Sequence, residues 1–232
     1  MVAKSIQQLD QEIIKCNKCP RLVSWRKEVS VVKRKSYSNE KYWGKPVPGF
    51  GAENPKLLII GLAPGAHGAN RTGRIFTGDS SGDWLYKALH KAGIAKIATS
   101  TSLKDGQKLT GARISCAVRC APPDNKPSIS ERDNCAPFLN EEIEILEKHL
   151  NSILTLGAFA WKSAISALTE NGYEIAKPTP KFAHGANFLA TKGKKKLKVI
   201  GSYHPSQQNT FTGKLTEKML FEVIDKAYKG SI

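Results

Sequence analysis

Four short apolar runs, each trailed by a stretch with helical spacing, constrain this chain more than any other feature. Leu57-Leu58-Ile59-Ile60 is continuous, apolar and partly β-branched, the pattern of a strand covered on both faces. A second strand fits Arg113 to Arg119, a third Ile153 to Leu156, and a fourth Leu197 to Ser202. Helical patterns follow them at about Ser81–Lys91, Ser130–Leu150, from Gly157 through Leu168, and at about Thr216–Lys229. Such alternation builds parallel β/α units. The expected fold is α/β, a three-layer α/β/α sandwich around a central four-stranded parallel sheet.

The 232 residues make about one large domain, and residues 1–232 are read as a single one. Ile6, Leu9, Ile13 and Ile14 fall at helical spacing, predicting a short amphipathic helix over residues 5–15. From Glu28 to Lys45 the chain is polar and basic, and Pro46 to Gly51 interrupts any regular element. Tyr42, Trp43 and Phe50 need apolar cover, so this reads as an ordered surface arm. The N-terminal helix and arm, about residues 1–55, therefore belong to the same domain. Lys192-Gly193-Lys194-Lys195-Lys196 reads as an exposed turn.

No stretch approaches the roughly 20 apolar residues of a membrane-spanning helix, and residues 1–10 lack the apolar core of a secretory signal. The expected setting is the cytoplasm, where five cysteines suggest a metal or cluster site sooner than disulfides. Thirty-six basic side chains against twenty acidic ones leave a net charge of +16. That surplus attracts polyanions, so nucleic acid or an anionic membrane surface leads the expected partners.

In open α/β sheets ligands sit beyond the carboxyl ends of the strands. The first strand runs into a nineteen-residue segment, Gly61 to Asp79, holding His67, Asn70, Arg71, Arg74 and Asp79. It has neither the lysine of a P-loop nor G-x-G-x-x-G spacing, yet it is far more polar than a turn requires. The second strand leads to Cys120-Ala121-Pro122-Pro123-Asp124-Asn125, and the fourth to Tyr203-His204-Pro205-Ser206-Gln207-Gln208-Asn209. With the sheet drawn as above, the three loops converge on one pocket. Cys16 and Cys19 form a C-x₂-C pair, Cys120 and Cys135 have fourteen residues between them, and Cys116 stands four positions before Cys120. Four thiolates hold zinc or a [4Fe–4S] cluster equally well, and spacing does not choose.

Gly61-Leu62-Ala63-Pro64-Gly65, Arg71-Thr72-Gly73-Arg74-Ile75-Phe76-Thr77-Gly78-Asp79, Val118-Arg119-Cys120-Ala121-Pro122-Pro123 and Tyr203-His204-Pro205-Ser206-Gln207-Gln208-Asn209 together resemble the uracil-DNA glycosylase superfamily. More narrowly they resemble its iron–sulfur-containing branch, type B or family five. The resemblance runs from Cys16 to the C-terminal helix. It implies a monofunctional glycosylase that removes uracil, and other deaminated bases such as hypoxanthine, from DNA. It also implies a structural [4Fe–4S] cluster on Cys16, Cys19, Cys120 and Cys135, and a monomer acting on duplex DNA with a deaminated base.

The same resemblance assigns roles. His204 donates to the departing base, Asp79 stabilises the sugar cation or orients water, and Asn125 positions water or base. Gly61, Ala63, Phe76, Cys116 and His184 belong to the base pocket, with Phe76 stacking on the flipped base. Ser206, Gln207 and Gln208 enter the minor groove. In the related cluster-bearing branch the place of Cys116 holds an asparagine that reads uracil, so a thiol implies a less selective pocket. Other branches keep a polar group just after the first strand's glycine, whereas Leu62-Ala63-Pro64 offers none. On residue type alone Asp79 is equally a helix N-cap, Phe76 a core side chain, and Asn125 an Asx turn. A zinc-stapled, non-catalytic nucleic-acid-binding module accounts equally for the charge and cysteines, but not for three polar loops at three strand ends.

Overall fold

A computed structural model describes residues 4–230; residues 1–3 and 231–232, counted in the domain above, lie outside the described residues. Six strands form one sheet: β1 (Phe50–Gly51), β2 (Leu57–Gly61), β3 (Ala112–Cys116), β4 (Ser152–Leu156), β5 (Asn187–Lys192) and β6 (Lys195–Ser202). Their order is β1-β3-β2-β4-β6-β5. The inner four are the predicted parallel strands. The expected four-stranded sheet is corrected by two antiparallel edges, β1 on β3 and β5 on β6. Neither edge carries a continuous apolar run: β1 has two residues, and along β5 only Ala190 is buried. The lysine-rich run does turn at Gly193-Lys194, although its flanks pair as Lys192 with Lys195.

Helices α1 (Ile6–Lys15), α2 (Pro20–Val32), α3 (Ala69–Thr72), α4 (Ser80–Lys91), α5 (Ile129–Leu146), α6 (Ala158–Glu170), α7 (Gln207–Phe211) and α8 (Glu217–Lys229) complete the chain. The run in β2 is apolar throughout because its side chains alternate between two cores. Leu57 and Ile59 join the core that includes Leu85, Leu89, Leu220 and Ile224 of α4 and α8. Leu58 and Ile60 join the other, with Ile13 of α1, Leu139 of α5 and Ala164 of α6. That is the three-layer sandwich. Ser5 and Ser128 open α1 and α5 with capping boxes closed by Gln8 and Glu131.

Two boundaries differ from the sequence reading. The second strand ends at Cys116, not Arg119, although Ala117 and Val118 continue donating to Gly61 and Leu62 carbonyls (3.0 Å each). The basic arm begins as a helix, α2, initiated by Pro20. Its buried face, Leu22, Arg26 and Val29, includes a charge, so apolar periodicity does not mark it. Tyr42 is buried as expected, and Trp43 and Phe50 pack on the core.

A buried ion network ties α1, β3 and α5 together. Arg113 donates to Asp10 and to Glu142 (2.6 and 2.7 Å), Ser115 donates to Glu142 (2.5 Å), and Arg119 closes on the same carboxylate. Burial alone would raise the Glu142 carboxyl, but Arg119 and Arg113 outweigh it and hold it well below the usual carboxylate range. Among the described residues no helix is long and apolar enough to cross a membrane.

Candidate active site and cysteine cavity

The carboxyl ends of β2, β3 and β6 meet as their topology requires. Their loops line one cleft that includes Ala63, His67, Phe76, Asp79, Asn125 and His204. Its wall continues through Ser206, Gln207 and Gln208 at the start of α7. Within it the Phe76 and His204 rings lie 5.8 Å apart, tilted by 33°.

Phe76 is held in place under strain. Its φ is +50°, a left-handed conformation unusual for a bulky side chain and costing on the order of 1–3 kcal/mol. Two glycines make room for it. A methyl built on Gly61 would stand 2.7 Å from the Phe76 ring, and one on Gly82 would collide with the Phe76 carbonyl. Gly61 thus lies beneath the ring and not on the open wall. Cys116 lies deeper still, 3.1 Å from that same imagined methyl and fully buried.

Asp79 divides its two oxygens. Oδ1 accepts the Gly82 amide at 2.9 Å and caps α4. Oδ2 faces Gly65 and Gly68, where a methyl on Gly65 would come within 3.0 Å of it. The cap and a cleft-facing oxygen therefore coexist on one side chain. Burial raises the Asp79 carboxyl above the ordinary value, opposed chiefly by the Gly82 bond. Burial acts oppositely on His204, pushing it down to about 4, so the imidazole is neutral near pH 7. The Asn209 side chain donates to the His204 carbonyl at 2.9 Å, pinning α7 to the histidine. Asn125 sits exposed at the rim with φ +56°, a conformation asparagine tolerates.

A second, narrower cavity lies on the other side of the 117–127 loop. Cys16, Cys19, Cys120 and Cys135 all line it, together with Arg26, Arg119 and Phe138. Arg26 donates to Cys120 Sγ at 2.8 Å, the Arg119 amide to Cys135 Sγ at 3.3 Å, and Asn134 to Cys19 Sγ at 3.7 Å. None of the four is in a disulfide. Burial pushes Cys120 up to about 11, against Arg26, and Cys135 up to about 12, against Arg119. Among the described residues no three His, Cys, Asp or Glu side chains gather tightly enough to clasp one metal ion. The sulfurs ring a space without converging on a point.

The model of the uracil DNA glycosylase superfamily matches residues 48–227. The chain belongs to that superfamily. Within it, the type-5 branch is the match. A type-5 uracil-DNA glycosylase of Mycobacterium bovis is 49% identical over 227 residues, 98% of this chain and 82% of that protein. One of Thermus thermophilus is 42% identical over 217 residues, 94% of each. A type-4 uracil-DNA glycosylase of Sulfurisphaera tokodaii is 27% identical over 203 residues, 87% of this chain and 74% of that protein.

Against this superfamily frame, the cleft gathers eight predicted residues: Ala63, Phe76, Asp79, Asn125, His204, Ser206, Gln207 and Gln208. His184 is not brought to the wall. The turn before β5 hydrogen-bonds to Gly201, and His184 Nδ1 accepts the Tyr203 amide at 3.2 Å, its ring against Tyr203. It supports the residue before His204. His67 lines the cleft and received no role from the sequence. Its signal was its place in the polar first loop, but the partner that orients it, Tyr42, is 25 residues away.

Proposed function

We propose that this chain is a monofunctional DNA glycosylase that flips a uracil out of duplex DNA and hydrolyses its N-glycosidic bond, leaving an abasic site for excision repair. The observation carrying this is the close approach of the Phe76 ring to a neutral, half-buried His204 in a cleft that Asp79 also lines. A base in a duplex is inaccessible, so it must be extruded at a cost of a few kcal/mol, least at a mismatch. Phe76 offers it an aromatic face. Bond breaking leaves negative charge on the base and positive charge on the sugar. Donors fixed in advance toward the developing anion are the strongest lever available. A neutral His204 donates there without carrying a charge of its own. Asp79 Oδ2, facing the Gly65–Gly68 turn, is the group that steadies the sugar cation or orients water, with Asn125 at the rim. Gln207 and Gln208 occupy the space the base vacates. No lysine lines the cleft among the described residues, which favours hydrolysis without an imine and without strand cleavage.

Tolerance of other deaminated bases, hypoxanthine included, rests on Cys116, a buried thiol that presents no amide to a base edge. The four-cysteine cavity suits a structural [4Fe–4S] cluster on Cys16, Cys19, Cys120 and Cys135. The four thiols line one small cavity and are free of disulfides, the donor set such a cluster takes. When bound, the cluster supplies a brace between the N-terminal segment and the 117–127 loop. Arg26 and the Arg119 amide then donate hydrogen bonds to the ligand sulfurs, and the reaction itself stays with the cleft. The protein works as a single-domain monomer in the cytoplasm, its +16 charge drawing it to the phosphates.

The test is incubation with a labelled duplex holding one uracil, followed by alkali. Strand breaks appearing only after alkali are expected. Binding without product would instead identify a non-catalytic module, and breaks before alkali would overturn the monofunctional assignment.

A further inference from the structure

The cleft holds a second histidine with no role in the chemistry above. His67 sits between Gly65 and Gly68, the two glycines that Asp79 Oδ2 faces, and its ring lines the cleft half-buried. Its Nδ1 lies 3.0 Å from the Tyr42 hydroxyl, the two rings edge to face at 6.1 Å. Tyr42 is itself buried, and its oxygen receives the backbone N–H of Arg34 at 3.4 Å. The hydroxyl thus accepts from Arg34 and keeps its own proton free to give to His67 Nδ1. The imidazole proton is then left on Nε2, as a donor directed away from Tyr42.

The His67 backbone is fixed as well. Its carbonyl accepts Arg71 Nε at 2.7 Å, and Arg71 is held by Glu40 and by the Gly78 carbonyl. Burial, then the positive charges of Arg34 and Arg71, push the His67 imidazole below its ordinary value. An N–H donor on the cleft wall, within the positive fields of Arg34 and Arg71, matches the oxygen of a phosphodiester. A cationic carbon of the sugar would meet no negative charge on this ring.

We propose that His67, set by the Arg34–Tyr42–His67 hydrogen-bond chain, is a DNA-binding residue that donates from Nε2 to one of the two phosphates flanking the flipped nucleotide. The proposal rests on the glycosylase reading and gives the basic arm a purpose: Tyr42 links it to the cleft. Loss of a phosphate contact made equally before and during bond breaking raises KM and leaves kcat unchanged.

The experiment uses uracil duplexes carrying a neutral methylphosphonate at either flanking position, with wild type, His67→Ala and Tyr42→Phe. Wild type is expected to lose roughly 10- to 150-fold in kcat/KM at one of the two positions, the range for a hydrogen bond to a charged group. His67→Ala should lose a similar factor on the natural duplex, through KM, and be indifferent to methylphosphonate at that position. Tyr42→Phe keeps the buried ring and should show part of the same loss and the same indifference. Additive losses at both positions in both variants would overturn the phosphate contact, as would a fall in kcat alone. Failure of wild type to release uracil from the natural duplex would instead bring down the glycosylase reading.

Discussion

The base cleft and the cysteine cavity share one loop, residues 117–127, and differ in almost everything else. Cys120 lies at the cavity end of that loop and Asn125 at the cleft end. The cleft is open, built from loops that leave parallel strands, and it combines a strained backbone with a shifted carboxyl and a shifted imidazole. Phe76 has a positive φ, Asp79 is shifted up, and His204 is shifted down. The cavity is small, and its polar neighbours, Arg26, Asn134 and the Arg119 amide, all aim at sulfur. Backbone strain at Phe76 is the kind that collects at functional sites, whereas the other region has the character of a staple. The comparison assigns reactivity to one side of the loop and cohesion to the other.

The largest effect that can break this division is loss of a cysteine. Cys135→Ser is expected to remove nearly all bound iron and to lower the thermal midpoint, while the protein that remains folded keeps its single-turnover rate. Iron analysis, melting and single-turnover kinetics on one preparation check it. A rate that falls while the fold stays intact would place the cavity in the chemistry. Next is Glu142→Ala, which strips the partner from Arg113 and Arg119 and should cost about 3–5 kcal/mol in denaturant unfolding. A cost near zero would show that the network does not tie α5 to the cavity.

Gly61→Ala sharpens the comparison from the cleft side. The added methyl meets the Phe76 ring at 2.7 Å, so kcat/KM on uracil duplex should fall by about 10- to 100-fold, with roughly 1–3 kcal/mol lost in stability from overpacking. The smallest effect is in the pH profile. Burial takes His204 to about 4, so the neutral donor persists as pH drops past the ordinary histidine value of about 6.5. The acid limb of kcat/KM is therefore expected below about pH 6. The sign for stability is the reverse of a salt-bridged histidine: below about 6.5 the unfolded chain takes up a proton that folded His204 refuses. Stability from this group is thus present above that value and declines toward pH 4. A limb centred at 6.5 would contradict a buried neutral imidazole.

Much of this was legible in the chain because the determining signals are local. Continuous apolar runs mark strands covered on both faces, and they set the four inner strands and the edge at which the loops meet. Ser5, Ser128 and Thr216 announce helix starts by their own chemistry. The edges were less legible because β5 buries one residue, and α2 was hidden because buried Arg26 breaks its apolar face. His184 was misplaced since its position depends on how the β5 turn pairs with Gly201. His67 was passed over for a related reason: the side chain that orients it comes from the basic arm. Local pattern finds the loops of a site, but contacts distant in sequence decide which side chains face into it.

The division of labour is tested most directly by measuring His204→Ala on one uracil duplex in two ways, by single-turnover excision rate and by equilibrium affinity for the undamaged counterpart. Loss of one preorganised donor is expected to slow excision by about 10²–10³-fold while undamaged-DNA affinity and melting temperature stay near wild type. Equal losses of rate and affinity, or an unchanged rate, would contradict a cleft whose chemistry is centred on that imidazole.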